Sequence, residues 1–142
     1  MSGYMTAQGL LKTLLLTCAS FGASDVTEGD FRVLDSGSTN TAVLLPGAIP
    51  NFDIAGLVRQ VEYEAIMDLF TRFVDDTTYN TFGTLRDAVI STLNTGSAPA
   101  LSAVYFITLL RSDSDPIELF DKQGNGPFFI TQRFRITIEE QV

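Results

Sequence analysis

Between Phe128 and Glu140 the chain alternates: Phe128, Ile130, Phe134, Ile136 and Ile138 share one parity, and Thr131, Arg133, Arg135, Thr137 and Glu139 share the other. A period of two over this length is the pattern of an antiparallel β-strand with one face on a core and one facing water. Chain ends fray unless they are tied down, so a strand this apolar at the end of the sequence has to be pinned by neighbours.

The 142 residues suit one domain spanning positions 1–142, and a chain of that size buries roughly 68 to 70% of its unfolded surface. With 45% hydrophobic residues, 18% charged residues and 11 Phe, the composition is globular. The apolar content has two readings: Phe side chains filling one core, or a subunit surface covered by neighbours. The net charge of −8, with only nine Lys and Arg, argues against a nucleic-acid-binding groove. Acidity of this kind ordinarily keeps a protein soluble. A single Cys18 excludes an intramolecular disulfide, and the absence of His removes the usual zinc sites.

Leu10, Leu11, Leu14, Leu15, Leu16 and Cys18 resemble a signal segment, with Leu15-Leu16-Thr17-Cys18 as an imperfect lipoprotein-type site. No Lys or Arg precedes this run, Lys12 interrupts it, and Thr17 stands where a smaller residue belongs. The spacing of Leu10, Leu11, Leu14, Leu15, Cys18 and Phe21 favours an amphipathic helix from about Thr6 to Ser20, ending before Gly22. No apolar run approaches the ~20 residues of a membrane span, and no membrane partner is expected.

Further along, Phe31 to Asp35 reads as a short strand. Asp35-Ser36-Gly37-Ser38 reads as a turn and Asn40 to Leu45 as a second strand, together a hairpin. Pro46 to Ile54 reads as a loop displaying Ile49 and Phe52. Leu57 to Val74 favours a strand, with Val61, Tyr63, Ala65, Met67, Leu69 and Phe73 on one parity, although Ala65, Ile66, Leu69, Phe70 and Phe73 also make a credible helical face. As a continuous strand it would be roughly 50 Å long, against about 37 Å for a compact globule of this length. It would project and need cover, unless a bulge near Ile66 folds it back.

Asp75 to Thr78 supply caps for a helix presenting Tyr79, Phe82, Leu85, Val89 and Leu93 on one face and ending by Gly96 and Pro99. Leu101 to Leu110, apolar on both parities, predicts a central strand with Pro116 to Phe120 as its edge-ward neighbour. Gly124-Asn125-Gly126 predicts a tight turn into the terminal strand. The expected fold is α+β: a mainly antiparallel sheet with an N-terminal helix and a second helix packed on one face.

Catalytic constellations do not emerge. Without His, a Ser-His-Asp triad and a Cys-His dyad are excluded, and Cys18 on an apolar helix face reads as a buried hydrophobe. Glu62 and Glu64 share a strand face, but alternating carboxylates are what any solvated face offers. Asp113 and Asp115 with Ser112 and Ser114 lack the Gly and distal Glu of a calcium loop and read as a turn. No enzymatic activity, catalytic residue, metal or cofactor is expected.

In element order the chain resembles the tail terminator proteins, also called tail-completion or minor tail proteins, of long-tailed bacteriophages. The resemblance rests on the apolar first helix, Thr41-Ala42-Val43-Leu44-Leu45-Pro46-Gly47, the alternation Val58 to Phe73, and the helix Tyr79 to Leu93. It continues through the strand Ala103 to Leu110 and the closing Thr131-Gln132-Arg133-Phe134-Arg135-Ile136-Thr137-Ile138. It covers nearly the whole chain, through order and texture rather than an invariant signature. It implies an α+β subunit of a homo-oligomeric ring, typically a hexamer, at the head-proximal end of the virion tail. Such a ring, assembled in the host cytoplasm, caps the tube protein, ends its polymerisation and provides the joint to a neck or head-completion protein. DNA passes through without specific binding. On that expectation some of Glu62, Glu64, Asp113 and Asp115 face the channel, where like charge lowers phosphate affinity. Ile49, Phe52, Arg133 and Arg135 are candidate subunit or tube contacts. The alternatives are another head-tail connector, a tube subunit, or, if the first residues are a signal, a small periplasmic lipoprotein or ligand-binding module.

Overall fold

A computed structural model describes residues 3–47, 60–94, 101–120, 123 and 126–141. The alternating C-terminal segment forms β6, Pro127–Gln141, and it lies inside the sheet. On one side it pairs along its length with the antiparallel β3, Gln60–Arg72. On the other it pairs first with β5, Ile117–Phe120, and then with β4, Tyr105–Ser112. Backbone bonds on both sides are what pin it. Its even-numbered residues from Ile130 to Glu140 are buried. Phe128 keeps the parity but is 53% exposed.

The sheet continues through β2, Asn40–Pro46, antiparallel to β3, to β1, Val26–Glu28, which runs parallel to β2. Helices α1, Tyr4–Leu15, and α2, Thr78–Leu93, both contribute buried residues to the core that lines one sheet face. Ala7, Leu11 and Leu15 of α1 and Phe82, Leu85, Val89 and Leu93 of α2 meet Leu44, Met67, Leu69, Phe134, Ile136 and Ile138 of the strands. Each such Leu or Ile contributes roughly 1.5–3 kcal/mol by leaving water. The α+β class expected from the sequence is the class found.

Within the Leu57 to Val74 segment, Gln60–Arg72 forms strand β3, as its parity favoured, and is paired with β2 on one side and β6 on the other; residues 57–59 lie outside the described residues. Both ladders run through Ile66 without a shift, so there is no bulge. The far half, Gln60–Glu64, lacks β2 but is paired with Thr137–Gln141. The terminal strand itself covers what the length argument left bare.

Several boundaries and pairings differ from the expectation. Phe31–Ser36 is a 3-10 helix, not a hairpin strand: the Asp30 carboxylate accepts the Arg32 N–H at its start, and Gly37 at φ 86° ends it. The strand beside β2 is instead β1, too short and polar for its pattern to register. Helix α1 stops at Leu15 rather than Ser20, since the N–H groups of Thr17, Cys18 and Phe21 bond three residues back. Cys18 and Phe21 remain buried in the core.

Strand β4 lies at the sheet edge, not its centre. Its apolar residues on both parities have another cause: the register with β6 shifts between Ile107 and Leu109, so Tyr105, Ile107 and then Leu110 meet core-facing partners. Strand β5 pairs with β6, in line with β4, rather than with β4 itself. Tyr79, expected on the buried face of α2, is exposed at its first turn. The residues of the predicted loop beyond Gly47, with Ile49 and Phe52, lie outside the described residues, as do Gly96, Pro99, Gly124 and Asn125.

Candidate assembly surface

The sheet face opposite the helices carries the charges. Cross-strand pairing sets Asp68 of β3 opposite Arg133 of β6, and the Asp68 carboxylate accepts from Arg133 Nε at 2.8 Å and from a terminal guanidinium nitrogen at 2.9 Å. Nearby, Arg135 donates to Glu64 at 2.6 Å and contacts Asp113 at 3.0 Å. Arg111 of β4 reaches the second oxygen of Glu64 at 3.4 Å. Hydrogen bonding to these carboxylates holds the Arg133 and Arg135 guanidiniums further into their charged form; for Arg135 the Asp113 bond contributes most. Three arginines and three carboxylates thus form paired charge rather than an acidic wall.

The expected channel-facing acids separate accordingly. Glu64 and Asp113 are ion-paired. Asp115 is exposed in the turn before β5. Glu62 is half-buried, with Glu139 directly opposite it across the β3–β6 ladder, a juxtaposition of like charges that costs stability. Arg133 and Arg135, expected as contacts, belong to the paired network.

Gln132 was missed by the sequence reading, since it stands at an apolar parity position. It is buried, and its amide nitrogen donates to Ser112 Oγ and to the Ser114 carbonyl, both at 2.9 Å. Its Oε1 accepts from Arg86 of α2 at 3.2 Å. One amide therefore ties the β4–β5 turn to the helix layer.

At the β5–β6 end the surface becomes apolar. Ile117 and Leu119 of β5, with Phe70, Thr131 and the Asp68–Arg133 pair, line a groove of about 430 Å³. Phe70 stacks edge-on against both Phe31 and Phe129, and the Arg72 guanidinium lies 5.0 Å over the Phe129 ring.

On the helix face at the other end of the strands, the Tyr63 hydroxyl donates to buried Glu140 at 2.8 Å. The Gly3 N–H, at the start of α1, donates to the Tyr105 hydroxyl at 2.9 Å. Burial first, then the bond to Glu140, pushes the Tyr63 phenol up to about 12.

Among the described residues no group of three or more His, Cys, Asp or Glu is placed to hold a metal ion, and no helix is long and apolar enough to cross a membrane. No family model and no curated protein matches the chain. One solved structure, whose name describes no function, aligns over 95% of this chain and 96% of its own at 14% identity and a TM-score of 0.46. A likeness that distant carries no argument about function.

Proposed function

We propose that this chain is a structural virion subunit that forms a ring on the end of a bacteriophage tail tube, stops its polymerisation and offers the joint to the head-neck assembly. The observation that carries the reading is the β5 edge. It is a four-residue strand, apolar except for Glu118, with Ile117 53% and Phe120 60% exposed, and among the described residues its ladder is to β6 alone. Such an edge invites pairing with another chain, and monomeric proteins ordinarily blunt it. An assembly subunit has a use for it. The place in a tail comes from the resemblance in element order set out above.

A cap of this kind acts by occupying the growing end of the tube. Deleting the gene should leave heads intact and yield tails of uncontrolled length that do not join them, as seen by electron microscopy of lysates. Normal-length, head-joined tails would overturn the role. Micrographs of the purified protein separate the neighbouring reading: a terminator stops at discrete rings, most often of six subunits, whereas a tube subunit grows into filaments.

A further inference from the structure

We propose that the β5–β6 end of the sheet is a docking surface for an extended apolar segment of a different protein, one whose flanks carry Lys or Arg. That this protein is a tail component rests on the reading above; the surface itself does not. Six exposed large hydrophobic side chains collect there: Val74, Tyr79, Ile117, Leu119, Phe120 and Phe128. They wrap the β5 edge from both faces: Ile117 and Leu119 line the groove on the face opposite the helices, and Tyr79 and its partner Glu118 lie on the helix side. The Phe73 N–H bonds the Phe128 carbonyl, the Phe73 ring stacks edge-on against Tyr79, the Tyr79 hydroxyl bonds Glu118, and Phe120 pairs with Pro127. Surface hydrophobics scattered singly need no explanation, whereas a cluster of this kind marks a contact site.

The backbone sets the shape of the occupant. Among the described residues no strand pairs with the far side of β5, so its outward N–H and C=O groups call for extended chain, the mode of strand addition. Alternate side chains of that incoming strand would fall toward the groove beside Ile117 and Leu119.

Charge then selects which extended chain. The patch is bordered by Asp75, Asp76, Asp115 and Glu118. The one described guanidinium at the groove, that of Arg133, is already paired with Asp68. A second copy docking through the same surface would set these carboxylates against their own images, in a chain of net charge −8. A segment with cationic flanks gains where a two-fold contact with a second copy loses.

The test titrates the full chain, isotope-labelled, with a short probe peptide of alternating Val and Thr bearing paired Lys at each end, and with a counterpart bearing Glu. The Lys peptide should shift the amides of Ile117 to Phe120 and Phe128, and the Glu peptide should bind about tenfold more weakly. Phe120→Asp should abolish the shifts while leaving the rest of the spectrum in place, because Phe120 is exposed. No shift on β5 with the Lys peptide, or equal binding of the two peptides, would overturn the proposal. So would concentration-dependent shifts of the same amides without peptide, which would assign the surface to a second copy. A failed titration would leave the tail role standing, and normal tails in a deletion strain would leave the surface standing.

Discussion

Replacing Arg133 with Ala should destabilise the fold far more than replacing its partner Asp68 with Ala. The two side chains share the same two hydrogen bonds, but that of Asp68 is 8% exposed and that of Arg133 is 42% exposed. Without Arg133, a carboxylate is stranded beside Val43 and Phe70, both buried. Removing one partner of a buried pair costs about 3–5 kcal/mol, and the half-exposed guanidinium places this pair at the low end, about 3 kcal/mol. Without Asp68 the guanidinium turns to water, and the loss is that of an exposed pair, about 1 kcal/mol at most. With a urea slope of about 2 kcal/mol per molar for a domain of this size, the unfolding midpoints should fall by about 1.5 M and about 0.5 M. An Asp68→Asn background should cut the cost of losing Arg133 to below about 1 kcal/mol, because the stranded group then carries no charge. Equal losses in the two Ala variants, or no relief from Asn, would refute the argument from asymmetric burial.

Phe134→Asp should yield no soluble folded protein, since it sets an unpaired charge on the buried face of β6 opposite Met67, whereas Thr137→Ser should be near neutral; wild-type melting of the Asp variant would show that face to be misassigned. Tyr63 has its folded value raised from 10.0 to about 12, so its contribution to stability is complete below the unfolded value and is lost as pH rises through that window. Urea midpoints should therefore fall between those values, and a fall just as steep in Tyr63→Phe would remove Tyr63 as its source. In the proposed ring, Glu62→Lys should preserve the subunit fold but slow DNA passage by adding a phosphate contact, and normal infection by this variant would end the channel reading of Glu62.

The sequence carried the fold wherever one face of an element is buried over a long run. Strand β6 and helix α2 were legible because alternation and helical spacing each persist over many residues. Strand β4 misled because a single register shift exchanges its inward parity, and an edge strand with a bulge then looks apolar on both sides, like a central one. Strand β1 was invisible for the opposite reason: three residues with one buried Val26 carry no period. The 3-10 helix at Phe31 was lost to local chemistry, because the cap from Asp30 and the left-handed Gly37 decide its backbone while Phe31, Val33 and Asp35 imitate alternation.

The candidate surface was harder to read because its chemistry is non-local. Glu64 and Asp113 looked like free acids in sequence, where no arginine stands near Glu64 on its own strand; their partner Arg135 arrives from 71 residues away for Glu64. Pairing across a ladder follows from register, and register follows from the whole set of strands, so a carboxylate's company is fixed only after the sheet is built. The same holds for Gln132, whose polar side chain at an apolar parity position marks a buried group requiring partners. That anomaly was visible in the sequence, although Ser112, Ser114 and Arg86 as its partners were not. A charged network completed only by the final strand also makes the outer face dependent on β6. Weakening that strand would release Arg133 and Arg135 together with Asp68 and Glu64, so the charge pattern of this face and the integrity of the sheet stand or fall as one.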